Sequence, residues 1–141
     1  MKDQMDYDNV ALARSLFDAF AAGALSLWKA QLSSDFTFAY PGLPDGKGAD
    51  AAFAYNMPFL AAFSDWVTET HAAAVDGEHV FLSITVHATH SGALVTPQGT
   101  LPASQRRGMI NAVIYARVRG GKIVHESTYW NVNDLMAQLI S

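Results

Sequence analysis

The stretch from Gly121 to Ile140, GKIVHESTYWNVNDLMAQLI, decides how the rest of the sequence is interpreted. It begins at a glycine pair typical of a tight turn and continues with β-branched and aromatic residues, as a β-strand does. After Asn131 the apolar residues of LMAQLI take the spacing of one face of a helix. The sequence therefore predicts a strand that leads into a short helix, and that helix needs another apolar surface to cover it.

Hairpin signals organise the strands that precede this stretch. Gly120-Gly121 separates it from RRGMINAVIYARV, and Asp76-Gly77 separates VTETHAAAV from HVFLSITVHATHSG. Another short strand, DFTFAY, is followed by the turn-rich PGLPDGKG. The segment LVTPQGTLPASQ is the longest that we predict to lack regular structure, and it is a candidate rim over a pocket.

Two longer stretches have the helical period. In VALARSLFDAFAAG, apolar residues recur at i, i+3, i+4 and i+7, and Asp8 or Asn9 can cap the start. The residues on this face are Ala13, Leu16, Phe17 and Phe20. The second stretch is GADAAFAYNMPFLAAFSDW, and LSLWKAQL predicts a short helix between the two. We therefore predict an α+β fold, in which helices cover one face of a curved antiparallel sheet, as one domain over residues 1–141.

Composition narrows the classes of function. Only 16% of the 141 residues are charged, the formal net charge is −4, and no basic run is present, so nucleic acid is a poor candidate partner. The absence of cysteine excludes disulfides and cysteine nucleophiles. No segment resembles a signal peptide or a membrane span, so we expect a soluble cytoplasmic protein without a membrane partner. No motif predicts a cofactor or a metal site.

Strand parity suggests which side chains face the helices. In HVFLSITVHATH the even positions are apolar up to His90, so this face should be buried, and the polar odd face suits solvent or an interface. In the last strand the residues alone do not decide which side faces inward, because neither side is purely apolar. A bulge would also exchange the two sides. One side carries Ile123, His125, Ser127, Tyr129 and Asn131, and the other carries Val124, Glu126, Thr128 and Trp130.

Taken in order, these motifs resemble the SnoaL-like polyketide cyclase family. The resemblance rests on THSG, LPASQRRG, YARVRGGKIVHESTYWN and LMAQL, and on the opening segment LFDAFAAGALSLWKAQLSSDFTFAYPGLPDGKGAD. It implies the cone-shaped α+β fold named after nuclear transport factor 2, with a pocket for a small apolar organic ligand between sheet and helices. It also implies a homodimer that pairs through the outer face of the sheet.

The resemblance also implies the site. In these cyclases an aspartate is the acid/base of an intramolecular aldol ring closure, ten residues after the turn glycine and seven before a glutamine. Counted from Gly121 and from Gln138, both spacings reach Asn131. The match therefore implies that Asn131 and His125 face the pocket, and it pairs His90 with a histidine of the family.

Asparagine cannot take up a proton at neutral pH, so we expect His90 or His125 to serve as the acid/base, with Asn131 beside it. No carboxylate of the family is expected in this pocket. The predicted ligand-binding residues are Tyr40, Tyr129, Ser127 and His71.

Each candidate also has a purely structural interpretation. For example, Asn131 could do no more than link the strand end to the last turn by a hydrogen bond. Two functions stay open. One is a cyclase- or isomerase-type enzyme that acts on an enolisable, largely apolar small molecule, and the other is a non-catalytic small-molecule-binding protein of the same fold.

Overall fold

The computed structural model describes residues 3–42, 45–96 and 99–140. Helices and strands follow one another in an order that matches the predicted α+β class. The helices within these ranges are α1 (Gln4–Ala21), α2 (Leu25–Ala30), α3 (Ala49–Ala62) and α4 (Val132–Ile140). The strands are β1 (Leu32–Ala39), β2 (Gly46–Lys47), β3 (Phe63–Asp76), β4 (His79–His90), β5 (Leu94–Thr96), β6 (Gly99–Leu101), β7 (Arg107–Arg119) and β8 (Lys122–Tyr129).

The main sheet of the described residues has the strand order β2-β1-β8-β7-β4-β3. Both predicted hairpins are present: Asp76 pairs with His79, and Arg119 pairs with Lys122. The pairing of β1 with β8 is parallel, whereas the other neighbours are antiparallel. The chain therefore returns at its last strand to the centre of the sheet, between β1 and β7.

Helix α1 buries the face that its periodicity predicts, with Ala13 and Leu16 almost fully covered. Its start differs from the prediction, because neither Asp8 nor Asn9 caps it. Asp3 accepts a hydrogen bond from the Asp6 backbone, and the Asp6 side chain accepts one from the Asp3 backbone. This reciprocal capping box satisfies two orphan donors and so extends the helix by more than a turn toward the N-terminus.

Strand β4 supplies the inner face of the sheet, as its alternation predicts. Its even positions from Val80 to His90 are all buried. The THSG motif at the end of β4 packs against helix α3. The backbone N–H groups of Ser91 and Gly92 both donate to the Ala62 carbonyl at the end of α3. A Cβ at Gly92 would lie 2.4 Å from the Ala61 carbonyl oxygen, so this close approach requires glycine.

The sequence predicts no regular structure for the segment after β4, and this prediction is wrong for part of it. Strands β5 and β6 pair antiparallel, with Leu94 opposite Leu101. Pro97 and Gln98 of this segment lie outside the described residues. Leu94 is 1% exposed and packs in a cluster with Phe63 and Leu139, so this small hairpin covers one end of the core.

Strand β8 contains the irregularity that positions the site. Arg117 pairs with His125, but the next residue of β7, Val118, pairs with Ile123, so Val124 is an extra residue on β8. Such a bulge exchanges the faces of all residues beyond it. Ile123 is fully buried, and Glu126 rather than His125 continues the inner face.

Helix α4 takes the place of a strand beside β7. Strand β8 ends at Tyr129 opposite Val113, which leaves the residues of β7 before Val113 without a strand on that side. The Gln138 carboxamide there accepts a hydrogen bond from the Met109 N–H (2.9 Å) and donates one to the Met109 carbonyl (2.8 Å). Leu135 and Leu139 are buried beneath it, which gives this helix the apolar cover that its sequence requires.

No helix within the described ranges is both long enough and apolar enough to cross a membrane.

Candidate functional site

A cavity of about 110 Å³ lies between the inner face of the sheet and helices α1, α3 and α4. Its wall is dominated by apolar and aromatic side chains, which is typical of sites for small organic ligands. The aromatic residues that line it are Phe17, Phe20, Trp28, Tyr40, Tyr55, Phe59, Phe63, Trp66 and Trp130. Small residues of the sheet, Ala88, Gly108 and Ala112, also line it and leave the space that larger residues would fill.

Glu126 brings a carboxyl group into this apolar wall. Among the described residues that line the cavity, it is the one with an acidic side chain. It is 7% exposed, and the Tyr40 hydroxyl donates a hydrogen bond of 2.7 Å to its Oε1. Tyr40 is itself buried at the end of β1, so the parallel pairing of β1 with β8 brings the two groups together.

The surroundings of Glu126 raise the pKa of its carboxyl group toward neutral pH. Burial is the main cause and raises the pKa of its carboxyl to about 7, although the hydrogen bond from Tyr40 acts in the opposite direction. Burial, and then the neighbouring Glu126, raise the pKa of the Tyr40 hydroxyl well above its usual range. Tyr40 is therefore a hydrogen-bond donor at any ordinary pH, whereas Glu126 can either take or give a proton near pH 7.

Helix α3 supports this pair from the side. The Tyr40 ring stacks on Tyr55 at a centroid distance of 4.8 Å, and the Tyr55 hydroxyl donates to the Pro41 carbonyl at 3.2 Å. One turn further along α3, Phe59 packs edge to face against Trp130 at 5.7 Å. These contacts fix the rings, so the cavity has a preformed aromatic wall.

Tyr40 is the predicted binding residue that the structure places in the cavity wall. His125, Ser127, Tyr129 and Asn131 do not line it, and the prediction that this set faces the pocket is wrong. The physical reason is the extra residue Val124, which turns the even positions of β8 inward.

His125 lies on the outer face of the sheet. Its Nδ1 is 2.7 Å from Thr37 Oγ1, and its Nε2 is 2.7 Å from Ser127 Oγ. Burial lowers the pKa of its imidazole, and the nearby Arg117 lowers that pKa further, while Asp45 opposes them. Both ring nitrogens thus have partners within the sheet, away from the cavity.

His71 and Tyr129 also lie away from the cavity. His71 is exposed, and its Nε2 is 2.6 Å from Thr85 Oγ1 on the outer face. Tyr129 is 61% exposed. Neither side chain lines the cavity among the described residues, so the cavity gives no support to the predicted ligand contacts of His71 and Tyr129, which stay predictions.

Asn131 closes the turn into α4. Its Oδ1 accepts a hydrogen bond of 3.0 Å from the Asp134 backbone N–H, three residues along the chain, as an N-cap side chain does. This geometry agrees with the interpretation that Asn131 ties the strand end to the last turn. It does not support the predicted position of Asn131 beside an acid/base group in the pocket.

His90 is fully buried but is not part of the cavity wall. Its Nδ1 accepts a hydrogen bond from the Ser104 backbone N–H (3.2 Å), so a neutral ring carries its proton on Nε2. Nε2 has no partner among the described residues, and the ring packs against Phe63 at 5.4 Å. A catalytic role for His90 stays a prediction.

Family comparison agrees with this architecture. The model of the SnoaL-like domain family matches residues 13–126, which is most of the chain.

The chain belongs to the SnoaL-like domain family.

Solved structures extend the likeness over nearly the whole length. A candidate SnoaL-like polyketide cyclase from Jannaschia sp. CCS1 is 15% identical with a TM-score of 0.86, and the match covers 99% of this chain and 96% of that one. AclR, a candidate hydroxylase from Streptomyces galilaeus, is 25% identical with a TM-score of 0.80, covering 95% and 82%. A protein with a ketosteroid isomerase-like fold from Catenulispora acidiphila DSM 44928 is 15% identical with a TM-score of 0.72, covering 91% of each chain.

No curated protein matches this sequence. The predicted cone-shaped nuclear transport factor 2-like fold is confirmed, and so is the predicted SnoaL-like family.

Replacing Asn131 tests its role as a helix cap. Asn131→Ala should lower the free energy of unfolding by about 1 kcal/mol, because the Asp134 N–H loses its acceptor, whereas Asn131→Asp should keep most of it. Urea denaturation followed by circular dichroism measures both. If Asn131→Ala were as stable as the wild type, the hydrogen bond would not cap α4.

The buried carboxyl of Glu126 predicts a pH-dependent stability. Its folded-state pKa of about 7 lies above the ordinary value of 4.5, so the folded protein binds this proton more tightly than the unfolded chain does. The resulting stabilisation is complete below pH 4.5 and is lost as the pH rises through about 7. A pKa difference of this size corresponds to roughly 3 kcal/mol.

Glu126→Gln keeps the shape but cannot ionise. Between about pH 4 and about pH 8, its free energy of unfolding should therefore gain up to ~3 kcal/mol relative to the wild type. Asp18→Asn, the corresponding change at an exposed carboxylate of α1, is the matched control and should show no such gain. A Glu126→Gln difference that does not vary with pH would contradict the raised pKa.

Proposed function

We propose that this SnoaL-like protein is a cyclase- or isomerase-type enzyme in which Glu126 is the acid/base group that acts on an enolisable, largely apolar small molecule. The observation that carries the proposal is the buried Glu126–Tyr40 pair in the wall of an aromatic cavity. A carboxyl that titrates near pH 7 can remove a proton in one step and return it in the next.

The proton transfers of this chemistry need one group that can take up a proton and return it. The ionised Glu126 takes a proton from a carbon next to a carbonyl, the C–H electrons pass into an enolate, and the carboxyl becomes neutral. Return of that proton to another carbon gives an isomer, whereas attack of the enolate on a second carbonyl closes a ring and the proton passes to the new alkoxide. Tyr40 donates to the carboxylate and so favours its ionised form against the cost of burial.

The placement of the histidines gives less support to the predicted histidine acid/base. His125 is on the outer face with both nitrogens occupied, and His90 does not line the cavity. A non-catalytic binding protein stays the second function, because the predominantly apolar wall would also suit simple storage or transport of a ligand.

Hydrogen exchange at carbon separates the two functions. The probe is 2-tetralone, a bicyclic ketone with acidic C–H groups, incubated in deuterated buffer and analysed by mass spectrometry. The wild type should accelerate deuterium uptake, and Glu126→Gln should lose about a hundredfold or more of that acceleration. The rate should rise with pH to a plateau above about 7, because the ionised carboxylate is the base.

Two further variants control this experiment. Tyr40→Phe removes the hydrogen bond that favours the carboxylate, so the midpoint of the pH profile should move to higher pH. Glu69→Gln should exchange as the wild type does. Binding of 2-tetralone without accelerated exchange would favour the non-catalytic function, and full activity of Glu126→Gln would rule out Glu126 as the base.

We also propose a homodimer formed through the outer face of the sheet. Several apolar side chains of that face are at least 40% exposed, and such side chains suit the core of an interface. They are Val67 (50%), Phe81 (43%), Val113 (40%) and Tyr129 (61%).

Analytical ultracentrifugation tests this assembly. The wild type should sediment as a dimer, and Val113→Lys should shift it toward a monomer, because the change puts a charge in the interface. Val95→Lys is the control, since Val95 is 61% exposed in β5, outside that face. A monomeric wild type would contradict the proposal.

A further inference from the structure

Thr128 carries a hydroxyl that the proposed reaction does not use. It lies two residues after Glu126 on β8, and both line the cavity. Its register partner on β7 is Ile114, whereas that of Glu126 is Ala116, and both partners are inner-face residues. Thr128 therefore points to the same side of the sheet as the carboxyl.

The other hydroxyl groups in the cavity wall have partners. Tyr40 donates to Glu126 at 2.7 Å, and Tyr55 donates to the Pro41 carbonyl at 3.2 Å. Among the described residues, the Thr128 hydroxyl has no hydrogen-bond partner. A hydroxyl that faces an apolar cavity without a partner is available to a ligand, and it favours a ligand that supplies one.

Strand geometry sets the distance between the two polar groups. Alternate residues of a strand are roughly 6.5–7 Å apart. Beyond Thr128, the next inward side chain is Trp130, which packs edge to face on Phe59. The site thus presents a carboxyl and then a free hydroxyl along β8, followed by an aromatic surface just beyond the end of that strand.

We propose that Thr128 is a specificity-determining residue that binds a second oxygen of the substrate. The substrate class is a rigid, roughly bicyclic apolar molecule with an enolisable carbonyl at one end and a hydroxyl or carbonyl oxygen at the other. This inference rests on the proposed function, because it assumes that the first end is the one next to Glu126.

Two probes that differ by a single oxygen test the inference. They are 2-tetralone and 6-hydroxy-2-tetralone, whose added hydroxyl lies at the far end from the ketone. Isothermal titration calorimetry should show that the wild type binds the hydroxylated probe roughly threefold to tenfold more tightly, as one net hydrogen bond provides. Thr128→Val, which keeps the side-chain shape, should lose this preference with little change in the affinity for 2-tetralone.

Two matched variants exclude a merely structural effect. Thr128→Ser keeps a hydroxyl and should retain the preference. Thr68→Val makes the same substitution at a β3 residue that does not line the cavity, and it should behave as the wild type does. Retention of the preference in Thr128→Val would overturn the assignment, and so would failure of the wild type to bind either probe.

The deuterium-exchange assay keeps the two proposals distinguishable. If the Thr128-dependent preference is present but neither probe exchanges faster than in buffer, the acid/base function fails and the role of Thr128 in binding stands. If exchange depends on Glu126 but Thr128→Val binds and exchanges both probes as the wild type does, the function stands and the assignment of Thr128 fails.

Discussion

A single extra residue, Val124, determines which side chains of the last strand reach the cavity. Without that bulge, a regular strand would place His125 inward and Glu126 on the outer face. With it, the acid/base candidate Glu126 contacts Tyr40 across the parallel pairing of β1 with β8. The free hydroxyl of Thr128 and the Trp130 ring then follow Glu126 on the same face. The set of side chains that line the cavity thus depends on a local feature of backbone pairing.

The environment of Glu126 is a balance between two opposing effects. Burial disfavours the charged carboxylate, while the Tyr40 hydroxyl stabilises it, and the pKa of about 7 is the outcome. A more solvated carboxyl would stay ionised and would return a proton poorly, whereas a buried one without a donor would stay neutral and could not remove one. A carboxyl that both removes and returns a proton near neutral pH therefore needs the apolar wall and the hydrogen bond from Tyr40.

Much of the fold could be predicted from regular patterns, but the site could not. The alternation of β4 and the Asp76-Gly77 and Gly120-Gly121 turns are repeated or strongly local signals, and the structure agrees with them. The bulge has no comparable signature, so a residue count across it predicts His125 and Asn131 on the cavity side, whereas neither lines the cavity. Glutamate is also rarely buried, so the sequence alone does not indicate Glu126 as a core residue. The one available clue was that neither side of β8 was purely apolar.

The two hydrogen bonds between the Gln138 carboxamide and the Met109 backbone have a consequence for aggregation. The backbone of β7 before Val113 would otherwise offer unpaired N–H and C=O groups to a strand from another molecule, which is how sheet edges start aggregation. The Gln138 carboxamide presents a carbonyl acceptor and an N–H donor side by side and uses both on the Met109 backbone, so it occupies that edge as a neighbouring strand would. Helix α4 thus shields a vulnerable sheet edge from intermolecular pairing, in addition to closing the cavity.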